Sequence, residues 1–266
     1  MKKDIIICIL VILLLGLGGY LVYDKLIDKK EGTNTVVENN TETEQSSKNN
    51  ELVVKQLLEG VSIGYCGGGY RYEINKGDVL KYDTLSDNER FSLAYKSWID
   101  THGDITLNKS TMLSAYNNFF GDGEYTLPEK VTIIGKFGPP LKLSGEEYVR
   151  DGEGGGGCAD TIKYVLDAFN VSDSKITFDV VPVVIEYDTV IEEPKNAYIM
   201  ELGSVNYDRT QANEIYERRI EVSAKDLTDE KILDAIASTK SNFPQFRFTF
   251  NAQNDRYIFE SVERIN

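Results

Sequence analysis

Nineteen consecutive residues without a charge, Ile5 to Tyr23 (IIICILVILLLGLGGYLVY), constrain this chain more than any other stretch. As a helix they would extend ~28 Å, close to the hydrocarbon thickness of a bilayer. Lys2 and Lys3 precede the run, and Asp24 and Lys25 end it. Tyr20 and Tyr23 fall where an interfacial aromatic belt would lie. The segment is expected to enter a membrane, either as an uncleaved signal-anchor over residues 1–23 or as a signal peptide cut near Gly16 and Gly18. The apolar run continues past both glycines through Leu21 and Val22, which favours the anchor. Cys8 lies inside the run with no small residue after it, unlike a lipidation site. Lysines flank both ends, so charge asymmetry discriminates weakly. A short tail before a long domain favours an N-inside arrangement with the C-terminal domain extracytoplasmic.

Residues 24–50 follow as an expected flexible tether. Lys29 to Asn50 (KKEGTNTVVENNTETEQSSKNN) is rich in Asn, Thr, Glu and Ser, with only Val36 and Val37 apolar. Such a segment cannot build a core, and 22 flexible residues reach ~26 Å. Residues 51–266 are expected to form one α+β domain, with subdomains 51–150 and 151–266 as an option. The chain's formal charge of −14 belongs almost wholly to this part, which carries 23 basic and 36 acidic side chains. Without a Lys/Arg cluster, such a surface repels phosphate backbones, so nucleic acid is not an expected partner.

Periodicity places a helix over Glu51–Glu59, stopped by Gly60. Ser86-Asp87-Asn88-Glu89 is a capping box for a second helix, with Phe91, Tyr95, Trp98 and Ile99 on one face. Asn108 can cap a third helix, from about Lys109 to Phe120, with Gly121 ending it. Lys130–Phe137 reads as a strand, and Asp160–Asn170 as a short helix with Ile162, Val165, Leu166 and Phe169 together. Ile176–Tyr187 is β-branched, and its apolar phase changes at Pro182, which suggests a bulge or an edge strand. Asn196–Leu202 and Tyr216–Val222 read as strands. Thr228 can cap a last helix, and Gln245–Asn251 with Arg256–Glu263 reads as a hairpin. Strands outnumber helices here without βαβ alternation, so antiparallel sheet is expected.

Cys66, within Gly64-Tyr65-Cys66-Gly67-Gly68-Gly69, and Cys158, after four glycines, are the most informative pair. In an exported domain two thiols read first as one disulfide. Closing the 92-residue loop between them would contribute ~4–5 kcal/mol at most. The sharper alternative is a catalytic Cys158 activated by a following helix, with His102, the only histidine, as base. His102 lies in a polar turn and no third orienting residue presents itself. A zinc site from Cys66, Cys158, His102 and a carboxylate lacks recognisable ligand spacing. Gly152–Gly157 fits G-x-G-x-x-G, but acidic neighbours such as Glu147 and Asp151 would repel a pyrophosphate. There is no G-K-[ST], and the acidic segment Glu146–Asp160 lacks a calcium-loop pattern. No catalytic residue and no cofactor or metal site is therefore nominated. A glycosidase-like acid pair remains open among 36 carboxylates. Sixteen tyrosines would suit glycan or protein contact where exposed, and strand positions otherwise.

The lysine-led anchor, the Asn/Glu-rich tether and the C-terminal Phe246-Arg-Phe-Thr-Phe…Asp255-Arg-Tyr-Ile-Phe-Glu-Ser-Val-Glu263 hairpin together resemble N-terminally membrane-anchored extracytoplasmic proteins of low-GC Gram-positive bacteria. The resemblance implies location and carries no activity. The leading expectation is a non-catalytic binding or interaction module, held at the membrane through residues 5–23 and facing an envelope protein or glycan. An envelope hydrolase using paired carboxylates is the alternative, and a cytosol-facing domain with reduced thiols is a third.

Overall fold

The computed structural model describes residues 39–63, 75–102, 107–134, 139–153, 161–188, 193–201, 219–225, 227–254 and 256–266. The chain divides into two units, Met1–Lys48 and Asn49–Asn266, and the fold is that of the second. It is α+β with antiparallel sheets. Among the described residues no helix is long and apolar enough to cross a membrane, and Ile5–Tyr23 lies outside them.

Helix α1 spans Asn39–Val61, so it takes in residues 39–50 that composition assigned to the tether. Val54, Leu58 and Val61 are buried at helical spacing, with Leu57 packed beside them. Gly60 does not stop the helix. A Cβ there would lie 3.3 Å from the Cβ of Ser97, a tight contact that glycine avoids where α2 (Asp87–His102) approaches. The capping box of α2 forms as expected: the Ser86 N–H donates to Glu89 Oε2 (2.6 Å), and the Glu89 N–H donates to Ser86 Oγ (3.3 Å). Helix α3 (Lys109–Phe120) begins with the Thr111 N–H on Asn108 Oδ1 (2.8 Å) and ends at Gly121, whose φ of 94° favours glycine.

A three-stranded sheet of β2 (Lys130–Val131), β3 (Leu141–Ser144) and β4 (Glu147–Arg150) packs with α2 and α3 around Phe91, Tyr95, Met112, Tyr116 and Tyr148. The strand expected over 130–137 is only two residues long. Beyond Val131, the N–H of Thr132 goes to Asn88 Oδ1 (2.9 Å) and that of Ile134 to Ser92 Oγ (2.8 Å). Side chains of α2 thus take the donors a longer ladder would need. Residues 135–138 lie outside the described set.

The larger sheet has seven strands. Its path runs β1 (Val79–Leu80), β10 (Arg256–Arg264), β9 (Phe246–Gln253), β6 (Lys175–Tyr187), β7 (Asn196–Glu201) and β8 (Ile220–Ser223), with β5 (Thr161–Val171) also pairing β6. Strand β6 is central. Strand β5 follows one of its edges from Ile176 to Ile185, while the other edge meets β9 over Lys175–Val180 and β7 over Val183–Tyr187. This corrects the edge-strand expectation. The apolar run through Pro182 arises because both faces of β6 are covered there. Val180 and Val184 face the core under α1, while Val181, Val183 and Ile185 face helix α4 (Asp229–Ile236) and Phe243. Pro182 falls where β9 has ended and β7 has not begun. On the other edge it opposes Tyr164, whose N–H points the same way as that of Leu166, which turns out to Asp229 Oδ2 (3.3 Å). Neither neighbour therefore calls on an N–H at Pro182.

The segment read as a helix over 160–170 is strand β5. Its apolar spacing imitates a helix because a bulge between Leu166 and Ala168 resets the alternation. Even-numbered Ile162, Tyr164 and Leu166 face the main core before the bulge, and odd-numbered Val171 does so after it. The β9–β10 hairpin forms as expected but is tighter, with Gln253 paired to Arg256 and Asn254 at a φ of 49°. Along β6 and β9, Asp179 and Arg247 are register partners joined by two bonds (2.7 and 2.8 Å). Phe178, Phe248, Phe250 and Phe259 fill the space between this sheet and Phe119 of α3.

Candidate functional site

Cys66, Cys158 and Cys8 lie outside the described residues, as do the glycine runs beside the first two. The reasoning that placed Cys158 at a helix N-terminus does not hold, because the described chain resumes at Thr161 as strand. The same finding removes the helix that a G-x-G-x-x-G loop at Gly152–Gly157 would need. His102 is the last residue of α2. Its ring stacks on Trp98 (3.8 Å between centroids, 7° between planes). Its Nδ1 lies 2.7 Å from Thr101 Oγ1 and 3.1 Å from the Trp98 carbonyl. The imidazole is thus occupied in finishing its own helix. No group of three or more His, Cys, Asp or Glu residues placed to hold a metal occurs among the described residues.

The tyrosines that can be placed are mostly structural. Tyr82 packs edge-on against Phe120 and tilted against Tyr125, Arg90 lies over the Tyr82 ring, and the Tyr125 hydroxyl donates to the Gly121 carbonyl (2.6 Å). Burial pushes Tyr148 up to about 12, and its hydroxyl donates to the Pro128 carbonyl (2.7 Å). Such rings are packed into the core rather than presented as platforms.

Two clefts flank helix α1. The larger, about 850 Å³, lies between α1, β5 and the start of α4. Its floor includes Leu58, Ile162, Leu166 and Ile185. Its polar groups are bonded chiefly to one another. Lys163 Nζ is 2.7 Å from Asp229 Oδ1, and the other oxygen of Asp229 accepts the Leu166 N–H. Lys55 Nζ is 2.6 Å from Glu51, a contact that raises the lysine above its ordinary value against the opposing effect of desolvation. Lys96 binds both oxygens of Asp100 (2.9 and 3.0 Å). The Tyr164 hydroxyl donates to the Ile63 carbonyl (3.0 Å), and burial raises its ionisation far above the ordinary tyrosine range.

The smaller cleft, about 550 Å³, lies between α1, α2, α3 and the first residues of β10. Helical spacing assembles it. Gln56 and Glu59 come from α1, Ser97, Asp100 and Thr101 from one face of α2, and Asn118 from α3. The close α1–α2 contact at Gly60 and Ser97 brings the first two walls together. Phe119, Leu57 and Tyr257 supply apolar surface. Arg256 is held by Asp122 (3.0 Å) and the Asn117 carbonyl (3.4 Å). The side chains of Gln56, Glu59, Ser97 and Asn118 have no hydrogen-bond or ion-pair partner among the described residues. They offer two amides, a hydroxyl and a carboxylate to whatever enters. Glu59 and Asp100 also place two carboxylates in one cleft, of which Asp100 is the one that holds Lys96.

None of these lining residues was nominated from sequence. The available signal was the polar i, i+3, i+4 face of α2 at Ser97, Asp100 and Thr101, which reads equally as an ordinary solvated face. Their meeting depends on four separate segments. No protein-family model, curated protein or solved structure matches the chain.

Proposed function

We propose that this chain is a membrane-tethered extracytoplasmic binding module, anchored through residues 5–23, and that it binds in the smaller cleft. One observation carries the binding reading: four polar side chains, Gln56, Glu59, Ser97 and Asn118, converge there without partners among the described residues. Side chains bonded to one another must first be separated before they can serve a ligand, whereas these need only lose water. The location rests on the uncharged run and its lysine flanks. A disulfide between Cys66 and Cys158 accompanies that location.

Emission from Trp98, the only tryptophan, reports on binding because it stands on α2 between Ser97 and Thr101. Solubilised envelope components should shift that emission in the parent chain and not in a Gln56→Ala/Asn118→Ala variant. An equal response from both would remove the smaller cleft as the site. Protease added to intact cells should digest residues 51–266, and full protection until lysis would defeat the extracytoplasmic placement. Thiol labelling of the denatured chain should reveal Cys66 and Cys158 only after reduction.

A second reading has its own support, because Glu59 and Asp100 share the cleft. An envelope hydrolase would use them as acid and base. Release of soluble fragments from envelope polymer, abolished by both Glu59→Gln and Asp100→Asn, would favour it over non-catalytic binding.

A further inference from the structure

We infer that the smaller cleft takes a neutral sugar chain. The inference rests on the binding reading above and goes further by naming the ligand class. Charge gives the first argument. Among the described residues Arg256 is the only cation lining the cleft, and it is already held by Asp122 and the Asn117 carbonyl. Among the described residues Glu59 lacks an ion pair, Asp100 already holds Lys96, and residues 51–266 carry a net of −13. A phosphate or carboxylate ligand would meet repulsion with no available cation to offset it.

Hydrogen-bond chemistry gives the second. The unpartnered set comprises two amides, which both donate and accept, a hydroxyl, which does the same, and a carboxylate, which only accepts. Hydroxyls on adjacent ring carbons offer donors and acceptors at the spacing such groups can meet. The half-buried Tyr257, with Leu57 and Phe119, adds apolar wall for the C–H face of a sugar ring.

The third argument separates sugar from peptide. Most of the lining comes from residues of α1, α2 and α3, whose backbone groups bond within their own helices. An extended peptide binding by strand addition needs a row of open backbone groups, and a helical peptide needs a continuous apolar groove. The cleft's apolar side chains, Leu57, Phe119 and Tyr257, come from three different elements with polar side-chain ends beside them. Its volume of about 550 Å³ lies within the range of small-molecule sites, and it opens to solvent, so a longer chain can pass through with a few units held.

The test uses the full 266-residue chain in detergent, titrated calorimetrically with three probes: chitotriose as a neutral oligosaccharide, oligolysine as a basic peptide, and polyglycerol phosphate as an anionic polymer. Chitotriose should bind. Gln56→Ala and Asn118→Ala should each weaken it by about 3- to 10-fold, the loss of roughly one net hydrogen bond. Lys55→Ala, in the larger cleft, should leave it unchanged. Oligolysine binding that falls with Asn118→Ala would overturn the sugar assignment while leaving the binding module in place. Binding of polyglycerol phosphate alone, or chitotriose binding sensitive to Lys55 and not to Asn118, would also overturn it. Cleavage of chitotriose abolished by Glu59→Gln would keep the sugar assignment and defeat the non-catalytic reading. If none of the three probes binds, the sugar assignment fails. The binding reading then stands or falls on the envelope-extract response of Trp98.

Discussion

The two clefts beside α1 differ in a way that size conceals. The larger, about 850 Å³, is lined mainly by polar groups that are already bonded, Lys163 with Asp229, Lys55 with Glu51 and Tyr164 with the Ile63 carbonyl, while Glu59 lines both clefts. The first fastens α4 to strand β5, the second lies within α1, and the third ties the segment just after α1 to β5. The smaller, about 550 Å³, has bonded groups of its own in Asp100, Thr101 and Arg256, but the side chains of Gln56, Glu59, Ser97 and Asn118 have no such duty among the described residues. A groove between packed elements arises wherever ion pairs hold two helices beside a sheet edge, so volume alone says little about binding. Whether the lining groups still have hydrogen-bonding capacity to give is the better guide.

Stability measurements can break this comparison, since the polar walls of the larger cleft should matter to folding and those of the smaller should not. The largest effect is expected from Phe119→Ala, because the apolar floor of the smaller cleft is also core. Phe119 is 3% exposed and packs on Phe250 and Phe259. Its truncation should cost about 3–5 kcal/mol in urea unfolding. A loss below 1 kcal/mol would mean that the floor is not part of the core.

Next comes Tyr164→Phe. Removing the hydroxyl bonded to Ile63 should cost about 1 kcal/mol near neutral pH. The parent should also lose stability in alkali. The folded phenol ionises above the unfolded value of 10.0, so between the two only the unfolded chain releases the proton. That contribution is complete below pH 10 and falls as pH rises beyond it. Urea midpoints from pH 9 to 12 should decline less steeply in the variant, and parallel declines would refute the assignment.

A smaller effect is expected at the ion pair. Lys163 and Asp229 are both about one-third exposed, so a Lys163→Met/Asp229→Asn double-mutant cycle should show coupling of about 0.5–1 kcal/mol. Smallest of all, Gln56→Ala and Asn118→Ala should each change stability by less than about 0.5 kcal/mol. Zero coupling in the first pair, together with a clear loss in the second, would reverse the roles of the two clefts.

Local chemistry was legible in the sequence where one segment suffices. The capping box at Ser86–Glu89 and the caps at Asn108 and Thr228 depend on residues three apart and form as read, and the β9–β10 hairpin forms with a turn tighter than expected. The misreadings come from partners far along the chain. Strand β5 looked helical because its bulge shifts the apolar phase, and β6 looked like an edge because its two faces are covered by α1 and α4. Gly60 looked like a stop until Ser97, from another helix, supplied the reason for it. The smaller cleft was hidden for the same reason: its residues are unremarkable until α1, α2, α3 and β10 are brought together.

The change of partner along β6 also has a consequence for the order in which the chain assembles. Strands β5, β6 and β7 follow one another in sequence, and β9 and β10 form a two-residue hairpin, so each set can close with short loops. Joining them requires β9 to find the first half of β6, as in the Asp179–Arg247 pair 68 residues apart. That seam has the highest loop-closure entropy of the β6 pairings, so it is expected to be the slowest of them to form. Substitutions along Lys175–Val180 should therefore slow folding, while those along Val183–Tyr187 should mainly hasten unfolding.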